Sequence, residues 1–377
     1  MKSISKVRKR AMTALRSVFI VVLPTLLFCL LVLEAGLRLS GRSPSNTTDG
    51  FFEPYKNSYR LRKDIAKTIK WPGYSYNVKT NALGFRDKAL GPRTIGPNAY
   101  FLFLGESLTF GNGVDYEKTF AGLIGHALEK DHIDVVNLAV GGHGFLDQEE
   151  LFHDFMASVT QKPAKVIICF SPLFIEGFDR PFTDIVVKNG YLFKKGKWLI
   201  PYIRIMLGDS SSAYSFFRDN IRKIQARLTD FNRIVARQLM DFYSVQNRLA
   251  EGSIADAFEA SLQELDSYIS SLGATSVYVY VPLSTDFGLS DLIKQSGEDP
   301  SQYDIRFYYG LLARHCEKGG TALIDLTPAL KELYEKGEPI NFIQDAHYNA
   351  VANQVIADTI LGALASVGAP DRNGMIR

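Results

Sequence analysis

Tyr100-Phe101-Leu102-Phe103-Leu104-Gly105-Glu106-Ser107-Leu108-Thr109-Phe110-Gly111 is the stretch whose reading decides the fold. Five apolar residues in a row, bounded by glycine, read as a short strand buried on both faces. Ser107 follows on the tight turn after that strand, where a hydroxyl stands exposed. A helix that begins there turns its free N–H groups toward the same point and stabilises negative charge on an oxygen. Gly and Ser also serve ordinary turn and cap chemistry, so the turn needs partners from elsewhere in the chain.

Runs of the same kind recur on the C-terminal side. They are Val135-Val136-Asn137-Leu138-Ala139, Lys165 to Phe170, Ser276 to Val281 and Thr321 to Asp325. Helical segments separate them at Lys118 to Lys130, Asp147 to Ser158, Ala255 to Leu272 and Asp304 to Lys318, with a last one from Ala350 to Ser366. Strands alternating with helices predict an α/β fold, a mainly parallel five-stranded sheet with helices on both faces. Ligands bind such sheets outside the C-terminal strand ends, which is where Ser107 falls.

Two stretches break the alternation. Residues 180 to about 250 hold a hairpin, Ile185-Val186-Val187 and Tyr191-Leu192-Phe193 around Asn189-Gly190, and then a long charged helix from Phe216 to Phe242. This insertion either caps the site or offers a docking surface, for instance to an envelope complex. Residues 40 to 95 are rich in Ser, Gly, Pro and Asn, with little periodicity, and read as a juxtamembrane stretch that packs on the domain or spaces it.

The juxtamembrane reading comes from the N-terminus. Lys2, Lys6, Arg8, Lys9, Arg10 and Arg16 crowd the first 17 residues without one acid, and Val18 to Leu33 is apolar apart from Pro24 and Thr25. Continued to Leu39, the run is long enough for a tilted helix to cross a bilayer, with Glu34 near the far interface. Basic residues on the N-terminal flank keep that end cytoplasmic. The chain thus divides into a basic tail (1–16), a transmembrane helix (17–39), the juxtamembrane stretch, an extracytoplasmic domain (96–368) and a short tail (369–377). A cleaved signal is the rival, but the apolar run leads into Glu34-Ala35-Gly36-Leu37-Arg38-Leu39, without a polar region and small-x-small site.

Composition narrows the function. The 377 residues are 46% hydrophobic and 22% charged, enough for a sizeable core. Net charge is +3, yet without the six N-terminal cations the remainder holds 37 basic and 40 acidic residues. That balance gives no electrostatic reason to bind nucleic acid. Three cysteines make no disulfide framework, and no Cys/His cluster has zinc spacing, so neither a metal nor another cofactor is expected.

Two further signals bear on Ser107. Gln344-Asp345-Ala346-His347 precedes the last helix, and an Asp two residues from a His can orient the imidazole as general base toward a serine. His126, His132, His143, His153 and His315 lie in or near helices or loops, and none has an Asp two residues before it. Asn137-Leu138-Ala139-Val140-Gly141-Gly142-His143-Gly144 ends the second strand in a glycine-rich turn able to present N–H groups to an oxyanion.

In order and position these three blocks resemble the SGNH/GDSL hydrolase family. Gly105-Glu106-Ser107 through Gly111 looks like its Gly-Asp-Ser-x-x-x-Gly block, with Glu in place of Asp. Asn137 and Gly142 match its Asn-x-x-x-x-Gly block, and Asp345 with His347 its last block. Asn81-Ala82-Leu83-Gly84-Phe85-Arg86 and the end of the span also resemble single-span bacterial members. The resemblance implies Ser107 as nucleophile, His347 as base, Asp345 as its orienter, and Ser107, Gly142 and Asn137 around the oxyanion and substrate. It implies an esterase or O-acyl transferase of the inner membrane whose domain faces acylated carbohydrate of the envelope or of an exported polysaccharide. The third block departs: Cys169-Phe170-Ser171-Pro172-Leu173-Phe174 puts Leu173 where an oxyanion Asn belongs. That departure, with Glu106, supports one rival, an inactive binding or assembly protein on the same fold; a second rival, a secreted soluble lipase, requires cleavage of the first helix.

Overall fold

The structure, a computed structural model, describes residues 18–42, 44, 50–71, 74–91, 99–176, 185–228, 240, 243–244, 252–342 and 345–366. The chain forms two compact units, residues 1–48 with 197–228 and residues 49–196 with 229–377. The first opens with a π-turn, Val18–Val22, that leads into helix α1, Leu23–Leu39. Phe19–Leu39 gives 21 helical residues of mean hydropathy 2.5, none of them buried, long and apolar enough to cross a membrane. The basic tail lies outside the described residues.

The second unit begins where the sequence showed little pattern. Two antiparallel hairpins stand there, β1 (Phe52–Tyr55) with β2 (Ser58–Leu61), and β3 (Ala66–Trp71) with β4 (Tyr74–Lys79). Alternate residues face inward, Tyr59 and Leu61 on β2 and Tyr76 and Val78 on β4. The period of two is present but runs for only four to six residues at a time, too few to stand out among turn residues.

The sheet follows. β5 (Tyr100–Leu104) leads through a single helical turn, α2 (Ser107–Phe110), and helix α3 (Phe120–Leu128) to β6 (Asp134–Asn137). Helix α4 (Phe145–Ser158) returns to β7 (Lys165–Phe170), which ends in the short α5 (Pro172–Glu176). The expected hairpin is β8 (Ile185–Lys188) with β9 (Tyr191–Lys194), turning at Asn189 and Gly190, both at positive φ. Helices α6 (Leu199–Ser210) and α7 (Ser212–Leu228) belong to the first unit. The expected long helix thus starts at Ser212, and its second half lies outside the described residues.

Helix α8 (Gly252–Ser271), β10 (Thr275–Tyr280), α9 (Asp286–Ser296), α10 (Phe307–Gly319), β11 (Ala322–Asp325), α11 (Thr327–Glu335) and α12 (Ala350–Ser366) complete the second unit. The five strands lie in the order β11-β10-β7-β5-β6, and every pairing is parallel. Every residue of β5 and β7 is buried, which is why they appear as unbroken apolar runs. Helices α3, α11 and α12 pack together, as do α8 and α10, with α4 meeting α8 through Phe145–Phe258 and Phe152–Tyr268, so the sheet is covered on both faces. Phe145 of α4 stacks on Phe170 of β7 at 5.8 Å between centroids, with Phe258 of α8 edge-on at 6.1 Å. The segment expected as one helix from Lys118 to Lys130 is shorter: Thr119 caps α3 by accepting from Gly122 N, and a 3₁₀ turn follows from Glu129.

From β5 the chain crosses first to β6 on one side and later to β7 on the other. The carboxyl end of β5 is therefore the topological switch point, where the crevice of such a sheet opens.

Candidate active site

Gly105 and α2 place Ser107 at that switch point. A side chain at Gly105 would put its Cβ 2.3 Å from Thr109 Oγ1, so only glycine lets the strand close onto the helical turn. Ser107 is the first residue of α2, and its N–H has no preceding turn to bond to.

The loop before α12 brings the other two residues. His347 Nε2 stands 2.9 Å from Ser107 Oγ, and His347 Nδ1 stands 2.5 Å from Asp345 Oδ1. Asp345 Oδ1 also accepts the His347 N–H at 3.0 Å, while its Oδ2 accepts the Tyr74 hydroxyl. Burial pushes the Asp345 carboxyl up, but the bond to and charge of His347, with Tyr74 and the backbone N–H, outweigh it and leave it below the ordinary value. Ser284 Oγ and Asn341 Nδ2 donate to the carbonyls of Ala346 and Asp345, both at 2.9 Å, and fix the loop from either side. Gln344 lies outside the described residues.

The glycine turn after β6 faces Ser107. A Cβ built on Gly141 would lie 3.7 Å from Ser107 Cβ and 3.6 Å from Asn112 Nδ2. Gly142 has φ +80°, a left-handed conformation that suits glycine, and its carbonyl neighbour Gly141 O accepts the Tyr59 hydroxyl at 3.1 Å. Among the described residues the N–H groups of Gly141 and Gly142 donate to no backbone acceptor.

Asn137 is not among these groups. It is buried behind them, its Nδ2 donating to Thr109 O at 2.9 Å and its Oδ1 accepting from Ala139 N at 3.0 Å. A short amide between the turn α2 and the end of β6 satisfies backbone groups there and does not reach the crevice. Leu173 lies on α5, half exposed and unable to donate.

Five residues at the site have no role assigned by the sequence. Asn112 Nδ2 lies 3.4 Å from His347 Nε2, and its Oδ1 faces the Tyr76 hydroxyl, also at 3.4 Å. A hydroxyl on Oδ1 leaves the amide N–H groups aimed at the crevice. Glu106, buried, accepts a hydrogen bond from Ser107 Oγ, so the Ser107 hydroxyl proton has two acceptors. Tyr74 and Tyr76 both come from β4. Arg86, in the stretch that resembles single-span relatives, is fully buried. Its Nη1 donates to Phe110 O at 2.7 Å and Gly111 O at 2.6 Å, and its Nη2 to Val114 O. That fork pins the loop carrying Asn112. Burial draws the guanidinium down to about 10, which leaves it charged at neutral pH.

Two histidines passed over in the sequence do have partners, from remote elements. Nε2 of His315 meets Asp266 Oδ2 at 2.8 Å, but the pair packs between α10 and α8, away from Ser107. Nε2 of His143 meets Tyr59 O at 2.7 Å, and Gln148 Nε2 meets its Nδ1 at 3.0 Å. Burial lowers His143 to about 4, so it is neutral and supports the glycine turn. Among the described residues no group of His, Cys, Asp or Glu is arranged to hold a metal ion.

No family model and no curated protein matches the sequence. Among solved structures, an alpha/beta hydrolase from the metagenome of Lake Arreo is similar at 14% identity and a TM-score of 0.41, over 72% of this chain and 97% of that one. An acetylxylan esterase from Geobacillus stearothermophilus is similar at 14% identity and 0.40, over 72% and 96%. A lipolytic G-D-S-L family protein from Veillonella parvula is similar at 11% identity and 0.39, over 71% and 98%.

Proposed function

We propose that the protein is a serine-dependent ester hydrolase or O-acyl transferase, anchored by its N-terminal helix and acting outside the cytoplasm on acylated carbohydrate. The observation that carries the reading is the chain Asp345–His347–Ser107, closed at hydrogen-bond distances at the switch point of the sheet.

Ser107 Oγ attacks the ester carbonyl carbon and gives its proton to His347 Nε2. Asp345, kept anionic by Tyr74 and the 347 N–H, holds the imidazolium through Nδ1. The carbonyl oxygen takes the negative charge and sits among the N–H groups of Ser107 and Gly142 and the amide of Asn112. Asn112 thus takes the place left by Leu173, as a side chain donating from the loop after the nucleophile. The tetrahedral adduct collapses, and the departing alkoxide takes the proton from His347. Water, or a sugar hydroxyl in the transfer reaction, then gives a proton to His347 and attacks the acyl-serine; the bond to Ser107 Oγ breaks, His347 returns that proton to Ser107 Oγ, and acid or new ester leaves.

A fluorophosphonate tests the reading directly. The purified full chain should form a covalent adduct at Ser107 and hydrolyse short acyl esters, and Ser107→Ala should do neither. A folded wild-type chain that neither labels nor hydrolyses, yet binds polysaccharide, would replace the enzyme with a binding protein.

A further inference from the structure

Helix α6 carries an exposed apolar stripe within the first unit. Leu199, Ile200, Ile203, Met206 and Leu207 are all exposed, and helical geometry gathers them within about a third of the circumference. Tyr202, Ile205 and Gly208, on the other side, are half-buried or buried. Helix α7 repeats the arrangement with Phe217, Ile221 and Ile224 exposed at i, i+4 and i+7.

The position of the α6–α7 turn shows what covers the stripe. Glu34 belongs to the apolar helix, five residues before its end, or roughly 7 Å of helix. Its carboxylate accepts from Ser211 Oγ at 2.9 Å, Ser212 N at 3.0 Å and Ala213 N at 2.8 Å, so it caps the start of α7. Arg38 completes the clasp, with Nε on Glu34 Oε1 at 2.6 Å and Nη2 on Ser210 O at 2.8 Å. The turn between the two striped helices is therefore held at the depth of Glu34, below the end of the span. The residues that lead into α6 are Lys194-Lys195-Gly196-Lys197-Trp198, three exposed ammonium groups and an indole. Such residues favour phosphate head groups and the membrane boundary.

We infer that α6, with the outward stripe of α7, lies in the head-group and acyl boundary of the same phospholipid bilayer that α1 crosses. The inference rests on reading Phe19–Leu39 as a span. The stripe enters the lipid by about 5–10 Å, as interfacial helices do, and the lysines stay among the phosphates.

Quenching by lipid-borne nitroxides tests it on the full chain in vesicles of phosphatidylcholine and phosphatidylglycerol. In a Cys29→Ser background, buried Cys169 and Cys316 resist labelling, and Val32→Cys, Ile203→Cys or Ile221→Cys takes an environment-sensitive fluorophore. Probes at 203 and 221 should lose most of their emission to nitroxides near the head groups, and less to nitroxides at the chain ends. Quenching at 32 with none at 203 and 221 overturns the inference and leaves the stripe to a protein partner. Quenching at no position overturns the span itself, and the inference with it.

Discussion

At the scale of single residues the proposed chemistry turns on Asn112 and Leu173. The leucine stands where the resemblance calls for a side-chain donor and has none to give, while the asparagine has its amide 3.4 Å from His347 Nε2. Asn112→Ala should lower kcat by about 10²–10³, the usual loss for one oxyanion donor, with KM little changed. A residue that only steadied His347 would instead move the acid limb of the pH profile of kcat/KM, which should stay in place. Leu173→Ala should leave the rate unchanged. Sequence order alone does not show this exchange, because it aligns blocks with strand ends but does not say which side chain reaches the crevice. The pairing of His347 with Asp345 was legible because they stand two positions apart, whereas that of Ser107 with His347 spans 240 positions and was suggested only by the order of the blocks.

Elements differ in how plainly they announce themselves. The central strands were legible because both their faces are buried and no polar residue interrupts them. Hairpins β1–β4 were not, since one face is exposed and each strand is short. The clasp on Glu34 joins residues about 178 positions apart, so the sequence shows only an acid in an apolar helix. Arg86 illustrates how much these quiet segments carry. Its guanidinium has carbonyls as partners and no buried carboxylate among them, and Nε finds no acceptor among the described residues. Arg86→Met leaves those carbonyls buried and unpaired, and should cost about 3 kcal/mol or more. The measurement is the thermal midpoint of the purified chain in detergent, which should fall well below wild type, whereas the exposed Lys130→Met should not move it.

For the whole molecule, stability should carry the mark of one buried acid. Asp286, at the start of α9, accepts from Leu283 N and Tyr243 OH, both at 2.9 Å, yet burial pushes its carboxyl up to about 7. Between its ordinary value near 4 and 7, the folded chain holds a proton that the unfolded chain releases. The stabilisation is complete below the lower value and disappears as pH rises through the upper one. Denaturation midpoints of wild type should therefore decline across that window, and Asp286→Asn should flatten the decline. An equal slope in both would place the carboxyl in the ordinary range.

Tyr74, which holds the acid of the proposed triad, and Tyr76, whose hydroxyl meets Asn112, lie on a hairpin that precedes the sheet by some twenty residues of chain. A soluble form cut at the start of the sheet would keep every triad residue and still lack the two hydroxyls that set their orientation. Any practical trimming of the membrane part must therefore stop ahead of Phe51, whose ring stacks on Phe110 at 5.7 Å beneath the nucleophile's turn.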